Sequence, residues 1–314
     1  MNQNLLQPDS APRARLLEQR VVDWLAPAFG MTGGHLVPDS TLANLTALWA
    51  ARDVAGARRV VASAVAHVSI AKSARILGMP LVEVPVDAAQ RLRSDLLPAD
   101  LSDAVVVLTA GTTATGSIDP LDAASTAVWR HVDAAWAGPL RLSSHAAVLD
   151  GIEHADSIAL SAHKWLYQPK ESALVMFADA AKAHESLSFG GSYLGAANIG
   201  LLGSHGAAAL PLAATLLAWG RAGLAARIDA EMALAGRLAD RVRAEPELQL
   251  WAEPVAGVVV WRPHAGDAVQ VRDRLSDAWV STAVVDGQTW FRSVAANPLA
   301  DPDHVVDAVL AALG

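Results

Sequence analysis

No cysteine occurs among the 314 residues, which excludes disulfides, thiolate metal sites and any mechanism built on a thiol nucleophile. Nor is there a basic stripe: the formal net charge is −8 and the basic residues are scattered singly, so a nucleic-acid partner lacks its electrostatic footprint. The first thirty residues interleave Gln, Asp, Arg and Glu with short apolar runs and lack the uninterrupted apolar core of a signal peptide. The longest apolar stretch, 207–219, contains Pro211 and is too short to cross a bilayer. A cytoplasmic protein without membrane contact is therefore expected. Internal repeats and low-complexity tracts are also missing, apart from a general richness in alanine.

With 53% hydrophobic residues, the chain can bury one large core, or a large domain and a small one. Short β-branched runs at 59–63, 81–86, 104–108 and 158–160 alternate with helical patterns. Ser40 or Thr41 is the expected cap of a helix over 42–52, and a second helix runs from His67 to Leu77. This alternation predicts an α/β fold, a mostly parallel sheet sandwiched by helices. From about Ala207 a long helical pattern, interrupted at Gly220 and Gly223, continues to Ala244, before Pro246. Strand-like runs at 248–251, 257–261 and 289–293 and a last helix over 303–313 follow. A large domain over 1–215 and a smaller C-terminal α+β domain over 216–314 are expected.

The chemistry-bearing residues gather at strand ends, where α/β sheets place their ligands. Lys164 lies in Ser161-Ala162-His163-Lys164-Trp165, just after an apolar strand. Partial desolvation there would lower its pKa, and a neutral amine is what forms a Schiff base with an aldehyde. An isolated lysine in that position would more simply be a surface lysine beginning a helix. Its neighbours change the balance: His131-Val132-Asp133-Ala134-Ala135-Trp136 sets a carboxylate at the end of the preceding strand, one βα unit upstream. A pyridoxal-phosphate (PLP) enzyme needs both a Schiff-base lysine and an acidic partner for the pyridinium nitrogen.

Three more features fit PLP, each with a plainer reading. Asp39-Ser40-Thr41 opens a helix whose N–H groups and hydroxyls suit a phosphate, or is an ordinary cap. His67 begins a helix after a strand and suits stacking on a pyridine ring, or is structural. Gly111-Thr112-Thr113, with Gly116 and Asp119-Pro120, forms a tight loop whose hydroxyls face the cofactor, or is simply a turn.

In order and spacing, these runs resemble the group II PLP-dependent amino-acid decarboxylases, of PLP fold type I. Matching runs are 43–48 (Ala-Asn-Leu-Thr-Ala-Leu), 67–72, 110–113, 131–136, 151–157 and 163–166, with a weaker match from Phe291 to the last helix. The resemblance implies Lys164 as the Schiff-base lysine, Asp133 on the pyridine nitrogen, Ala135 beneath the ring and His67 above it. It further implies Thr113 near the substrate carboxylate or the ring, and Ser40, Thr41, Ser161 and His163 on the phosphate. Ser204 would reach the phosphate from a second subunit of a homodimer. Arg292 matches a position where some relatives bind a substrate carboxylate; a surface ion pair is the other reading. No metal is called for.

The chain also departs from the family pattern. The N-terminal segment that wraps the dimer in relatives is not represented, and Pro38-Asp39-Ser40-Thr41-Leu42 replaces a Ser-Gly-Gly-Thr-Glu phosphate loop. The mobile loop that carries a protonating tyrosine is shortened between Phe189 and Gly206, leaving Tyr193 as its one tyrosine, and His205 stands where relatives carry Arg. Decarboxylation of an amino acid to an amine and carbon dioxide is the implied reaction, with Tyr193, His67 or a partner subunit's His205 as proton donor. Two alternatives stay open: aldehyde formation or another bond cleavage at the same carbon, and a catalytically idle, partner-dependent relative. A cysteine desulfurase is excluded, since it needs the thiol this chain lacks.

Overall fold

The computed structural model describes residues 4–314. α1 (Pro12–Leu25) leads into β1 (Gly33–Val37), α2 (Ser40–Ala55), β2 (Arg59–Ser63), α3 (Val68–Ile76), β3 (Leu81–Val84), β4 (Ala104–Thr109), β5 (Trp129–Asp133), β6 (Ser157–Ser161) and β7 (Ala173–Phe177). These seven strands form one sheet in the order β1-β7-β6-β5-β4-β2-β3. β2 to β6 run parallel, and β7 is antiparallel to both β6 and β1.

Burial on both faces explains why β4 reads as an unbroken apolar run. Its Val105 and Val107 join Val60, Val175 and Phe177 under α2 to α4, while Val106 and Leu108 point the opposite way, with Val132, Ile158 and Leu160. The crossovers from β3 to β4, β4 to β5 and β5 to β6 contain only loops and short 3₁₀ turns.

Two expectations need correction. The cap of α2 is Asp39, whose Oδ1 accepts the Leu42 N–H at 2.8 Å; Ser40 is already the first helical residue. The acidic residue at the start of α2 therefore has a structural task. In addition, β1, β7 and the later β12 were not anticipated. β1 begins with two glycines and carries His35, so it lacks a β-branched signature; its place comes from pairing with β7.

α4 (Ala180–Ser186) and a two-residue hairpin, β8 (Ser188–Phe189) with β9 (Asn198–Ile199), precede α5 (Ala209–Arg243). α5 is long and apolar enough to cross a membrane by length and composition alone, in contrast to the shorter run read from the sequence. Non-helical angles at Gly220 (φ 60°, ψ −173°) divide it into two limbs. Leu212 and Leu216 of the first and Leu224 and Ile228 of the second are buried in the main core.

A second, four-stranded antiparallel sheet follows, ordered β10-β11-β13-β12: β10 (Leu248–Leu250), β11 (Val258–Pro263), then α6 (Ala268–Asp273), β12 (Ser281–Val285) and β13 (Gln288–Val294). The second limb of α5 and α7 (Pro302–Leu313) cover it around Trp261 and Phe291.

This small sheet presses on the turn after β6 at one point. Gly257, at φ +67°, leaves no room for a side chain: an added Cβ would lie 2.4 Å from Trp165 Cζ2. Left-handed strain and overpacking together should make Gly257→Ala less stable by roughly 2–5 kcal/mol. Urea unfolding of the variant should show that loss, whereas Gly266→Ala, which shares a positive φ but meets no neighbour within 4 Å, should show only the strain.

Candidate active site

The carboxyl ends of β4, β5 and β6 lie side by side and bring together residues distant in sequence. Asp133 ends β5, Ser161 ends β6, and Lys164 sits in the turn that follows. Burial pushes the Lys164 amine below the ordinary lysine range; Asp133 opposes that shift, and Arg292 and Lys170 add to it. Its Nζ lies 5.8 Å from the centroid of the Trp136 ring. An ammonium kept out of water beside more positive than negative charge gives up its proton more readily.

Asp133 is held by a chain of hydrogen bonds. Its Oδ1 accepts the Ala135 N–H at 3.2 Å, and its Oδ2 accepts from Asn44 Nδ2 at 2.9 Å. Asn44, 1% exposed, also donates to Ser69 Oγ at 2.8 Å, while its Oδ1 accepts from His131 Nε2 at 2.9 Å. Because a carboxylate only accepts, the Asn44 orientation is determined, and with it His131 Nε2 as the donor to Asn44 Oδ1. The Ser157 hydroxyl accepts from Trp129 Nε1 at 2.8 Å and lies 2.9 Å from His131 Nδ1, which is also 3.1 Å from the Ser157 carbonyl oxygen. At the other end, Ser69 donates its hydroxyl at 2.8 Å and its N–H at 3.2 Å to His67 Nδ1. His67 therefore carries its ring proton on Nε2 when neutral. His67 caps α3 and remains exposed.

A second group lies at the start of α2. Ser161 Oγ donates to Ser40 Oγ at 3.0 Å, which joins the end of β6 to the first residue of that helix, with Thr41 next in the same turn. His163 Nδ1 is buried without a hydrogen-bond partner. Burial lowers the His163 pKa, and Lys170 and Lys164 lower it further. An unpartnered ring nitrogen, two hydroxyls and a helix N-terminus form a donor set that fits a phosphate. Ala135, 7% exposed, is small enough to leave a ring room above it. These residues fit PLP.

Arg292, on β13, donates through Nε to the backbone oxygen of Thr113, which bridges the two sheets, and burial lowers its pKa. Tyr193 and Ser204 lie apart. Tyr193 is 74% exposed in the β8–β9 hairpin, where its carbonyl accepts from Gln7, and the exposed Ser204 accepts from Asn4 Nδ2 at 3.2 Å. Neither shares a hydrogen bond with the residues above among the described residues.

Asn44, Ser69, His131 and Ser157 all fall within runs quoted for the resemblance, yet none was given a role. Polar residues inside otherwise apolar helix and strand segments were the available signal, since a buried polar group demands a partner.

A mostly parallel seven-stranded sheet with a lysine after one strand and a carboxylate at the end of its neighbour defines a PLP enzyme of fold type I. The pyridoxal-dependent decarboxylase conserved domain matches residues 1–264. The chain belongs to this family, the group II decarboxylases, which are PLP-dependent carboxy-lyases, and its cofactor is pyridoxal phosphate. It is 34% identical to an L-2,4-diaminobutyrate decarboxylase of Rhizobium meliloti, over all of this chain and 72% of that protein. It is 28% identical to an aspartate 1-decarboxylase of Aliivibrio fischeri, over 83% of this chain and 59% of that one. Among solved structures, an Oryza sativa TDC with PLP and tryptamine superposes with a TM-score of 0.89 at 25% identity, over all of this chain and 78% of that one.

His131 gives the hydrogen-bonded chain a pH signature. Complete burial lowers its pKa from 6.5 to about 4, against the pull of Asp133. The folded protein then refuses a proton that the unfolded chain accepts, so stability is full above pH 6.5 and falls as the pH drops towards 4. The loss is on the order of 3 kcal/mol. We expect His131→Gln to be less stable at pH 7 but to lose less on acidification, measured by urea unfolding at both ends of the range. An acid limb as steep as the wild type's would contradict a neutral His131.

Proposed function

We propose that this chain decarboxylates an L-amino acid to its amine, with Lys164 as the residue that carries PLP. The observation that carries the proposal is the pairing of a desolvated Lys164 with an Asp133 carboxylate held by Asn44 and the Ala135 N–H. When bound, PLP supplies an electron sink for the pair of electrons that the departing carboxylate leaves behind. Lys164, readily neutral, is the nucleophile that attaches it. Asp133 would hold a proton at the pyridine nitrogen, and His67, fixed by Ser69, and Ala135 would hold the ring. Ser40, Thr41, Ser161 and His163 hold the phosphate.

Arg292 orients the substrate carboxylate, with Thr113 beside it, in preference to a surface ion pair, because the half-buried Arg292 guanidinium bonds the Thr113 carbonyl and no acidic side chain pairs with it among the described residues. For reprotonation we assign Tyr193 first, then His67, then His205 of a second subunit. A homodimer accounts for the exposed apolar side chains of Phe189, Tyr193, Leu201, Leu210 and Leu217, and Ser204 would reach the phosphate across it. We place the division between cofactor and small domains at 215/216, in the first limb of α5, and assign the protein to the cytoplasm without membrane contact. The exposure of Tyr193 favours one further reading, in which dioxygen in place of a proton takes up the electron pair left by the departing carbon dioxide, and water then releases aldehyde, ammonia and hydrogen peroxide. A catalytically idle, partner-dependent subunit is disfavoured by the retention of Lys164 together with Asp133 and His67, the latter two joined through Asn44 and Ser69.

Borohydride reduction of the protein purified with PLP, followed by peptide mapping, should yield a pyridoxyl group on Lys164 and none in Lys164→Ala. That variant should release carbon dioxide from amino acids at least roughly 10³-fold more slowly. Amine with carbon dioxide is the expected product pair; aldehyde with ammonia would support the second reading. A folded protein with no pyridoxyl group would exclude both.

Size-exclusion chromatography with light scattering should give twice the chain mass, and Leu217→Glu should weaken that association, because Leu217 is 83% exposed and a charge there opposes an apolar contact.

A further inference from the structure

The turn that carries Lys164 is closed by two backbone bonds, Tyr167 N to Lys164 O and Gln168 N to Ala162 O, both 3.1 Å. Tyr167 closes it in the left-handed region (φ +57°), a conformation that persists in a bulky L-residue only when its surroundings hold it. The ring of Tyr167 meets Trp219 edge-on at 5.6 Å, and its hydroxyl donates to Glu231 Oε1 at 2.7 Å. Glu231 is 1% exposed and its Oε2 has no hydrogen-bond partner, while Arg227, one turn away, is turned onto the Trp219 ring at 4.0 Å. A carboxylate buried with so little compensation is a poor source of stability. The next residue repeats the attachment: Gln168 Nε2 donates to Thr215 Oγ1 at 3.0 Å.

These two bonds grip α5 on either side of its Gly220 kink, Thr215 on the first limb and Glu231 on the second. The second limb packs on β10, β11 and α7, so it belongs to the same body as Arg292 on β13. We propose that Tyr167 and Glu231 are positioning residues: their contact ties the Lys164 turn to the limb of α5 that carries the small sheet, and keeps Lys164 in register with Asp133 and Arg292. The proposal rests on Lys164 being the PLP-bearing lysine for its function, but not for its first measurement.

Competitive amine labelling of the full chain without PLP, followed across pH by mass spectrometry, reads the ionisation of Lys164 directly. In Tyr167→Phe the freed turn gains water, and the Lys164 midpoint should rise by about one pH unit, towards the ordinary lysine value. PLP release should quicken about tenfold. Glu231→Gln still offers the phenol an acceptor and should stay within about twofold of wild type in both readouts. The double variant Tyr167→Phe/Glu231→Leu removes the stranded carboxylate. It should regain the melting temperature while keeping both shifts, and it serves in place of Tyr167→Phe if that variant does not fold. An unchanged Lys164 midpoint in folded Tyr167→Phe would overturn the proposal. So would a double variant that returned Lys164 to the wild-type midpoint, since the pair would then matter only as a buried charge. A shifted midpoint with no PLP attached to Lys164 in any variant would leave the positioning role standing and remove the PLP assignment instead.

Discussion

The site depends on one buried amide. Asn44 has two donors and one acceptor group to place, and all are used: Asp133 and Ser69 receive the donors, and His131 fills the acceptor. In a low-dielectric interior an unpaired polar group is costly, so Asn44 holds Asp133, Ser69 and His131 Nε2 each in one hydrogen-bonding direction. The residue that would meet the pyridine nitrogen and the residue that would stack on the ring are thereby oriented by the same side chain. α2 supplies that amide from its second turn, which is why the Asp39 cap at the helix start bears on the chemistry.

Around this chain the electrostatics oppose each other within a small space. Asp133 draws Lys164 towards its charged form, while burial, Arg292 and Lys170 push it towards the neutral amine, and the second set prevails. Arg292 arrives on a different sheet, and its bond to the Thr113 carbonyl ties the small sheet to the loop after β4. Gly257 against Trp165 is the steric counterpart of that contact, since the absence of a side chain at one position lets the two sheets close on the lysine turn.

Much of this was legible before the fold was known. Apolar β-branched runs at 59–63 and 104–108 became central parallel strands because both faces of such strands are buried. His67, Asp133 and Lys164 were recognisable because each ends or follows a strand, β2, β5 and β6 in turn. The kink of α5 was signalled by Gly220. What escaped was whatever depends on a neighbour. β1 is a strand because β7 offers it an edge, and β12 because β13 does, not because of their own residue types. Asp39 rather than Ser40 or Thr41 caps α2, because the choice among three adjacent polar residues turns on one backbone geometry.

The sequence by itself determined the residue types that reach the strand ends and their order, since periodicity and local propensity act between neighbours in the chain. It thereby set the α/β class and singled out Lys164, Asp133 and His67 as candidates. Only the tertiary structure decided that Asn44, Ser69, His131 and Ser157 form a single hydrogen-bonded chain, and that Tyr167 reaches a buried Glu231. Hydrogen bonds across 25 to 89 positions have no local signature, and burial, which makes them obligatory, exists only once the sheets and helices have packed.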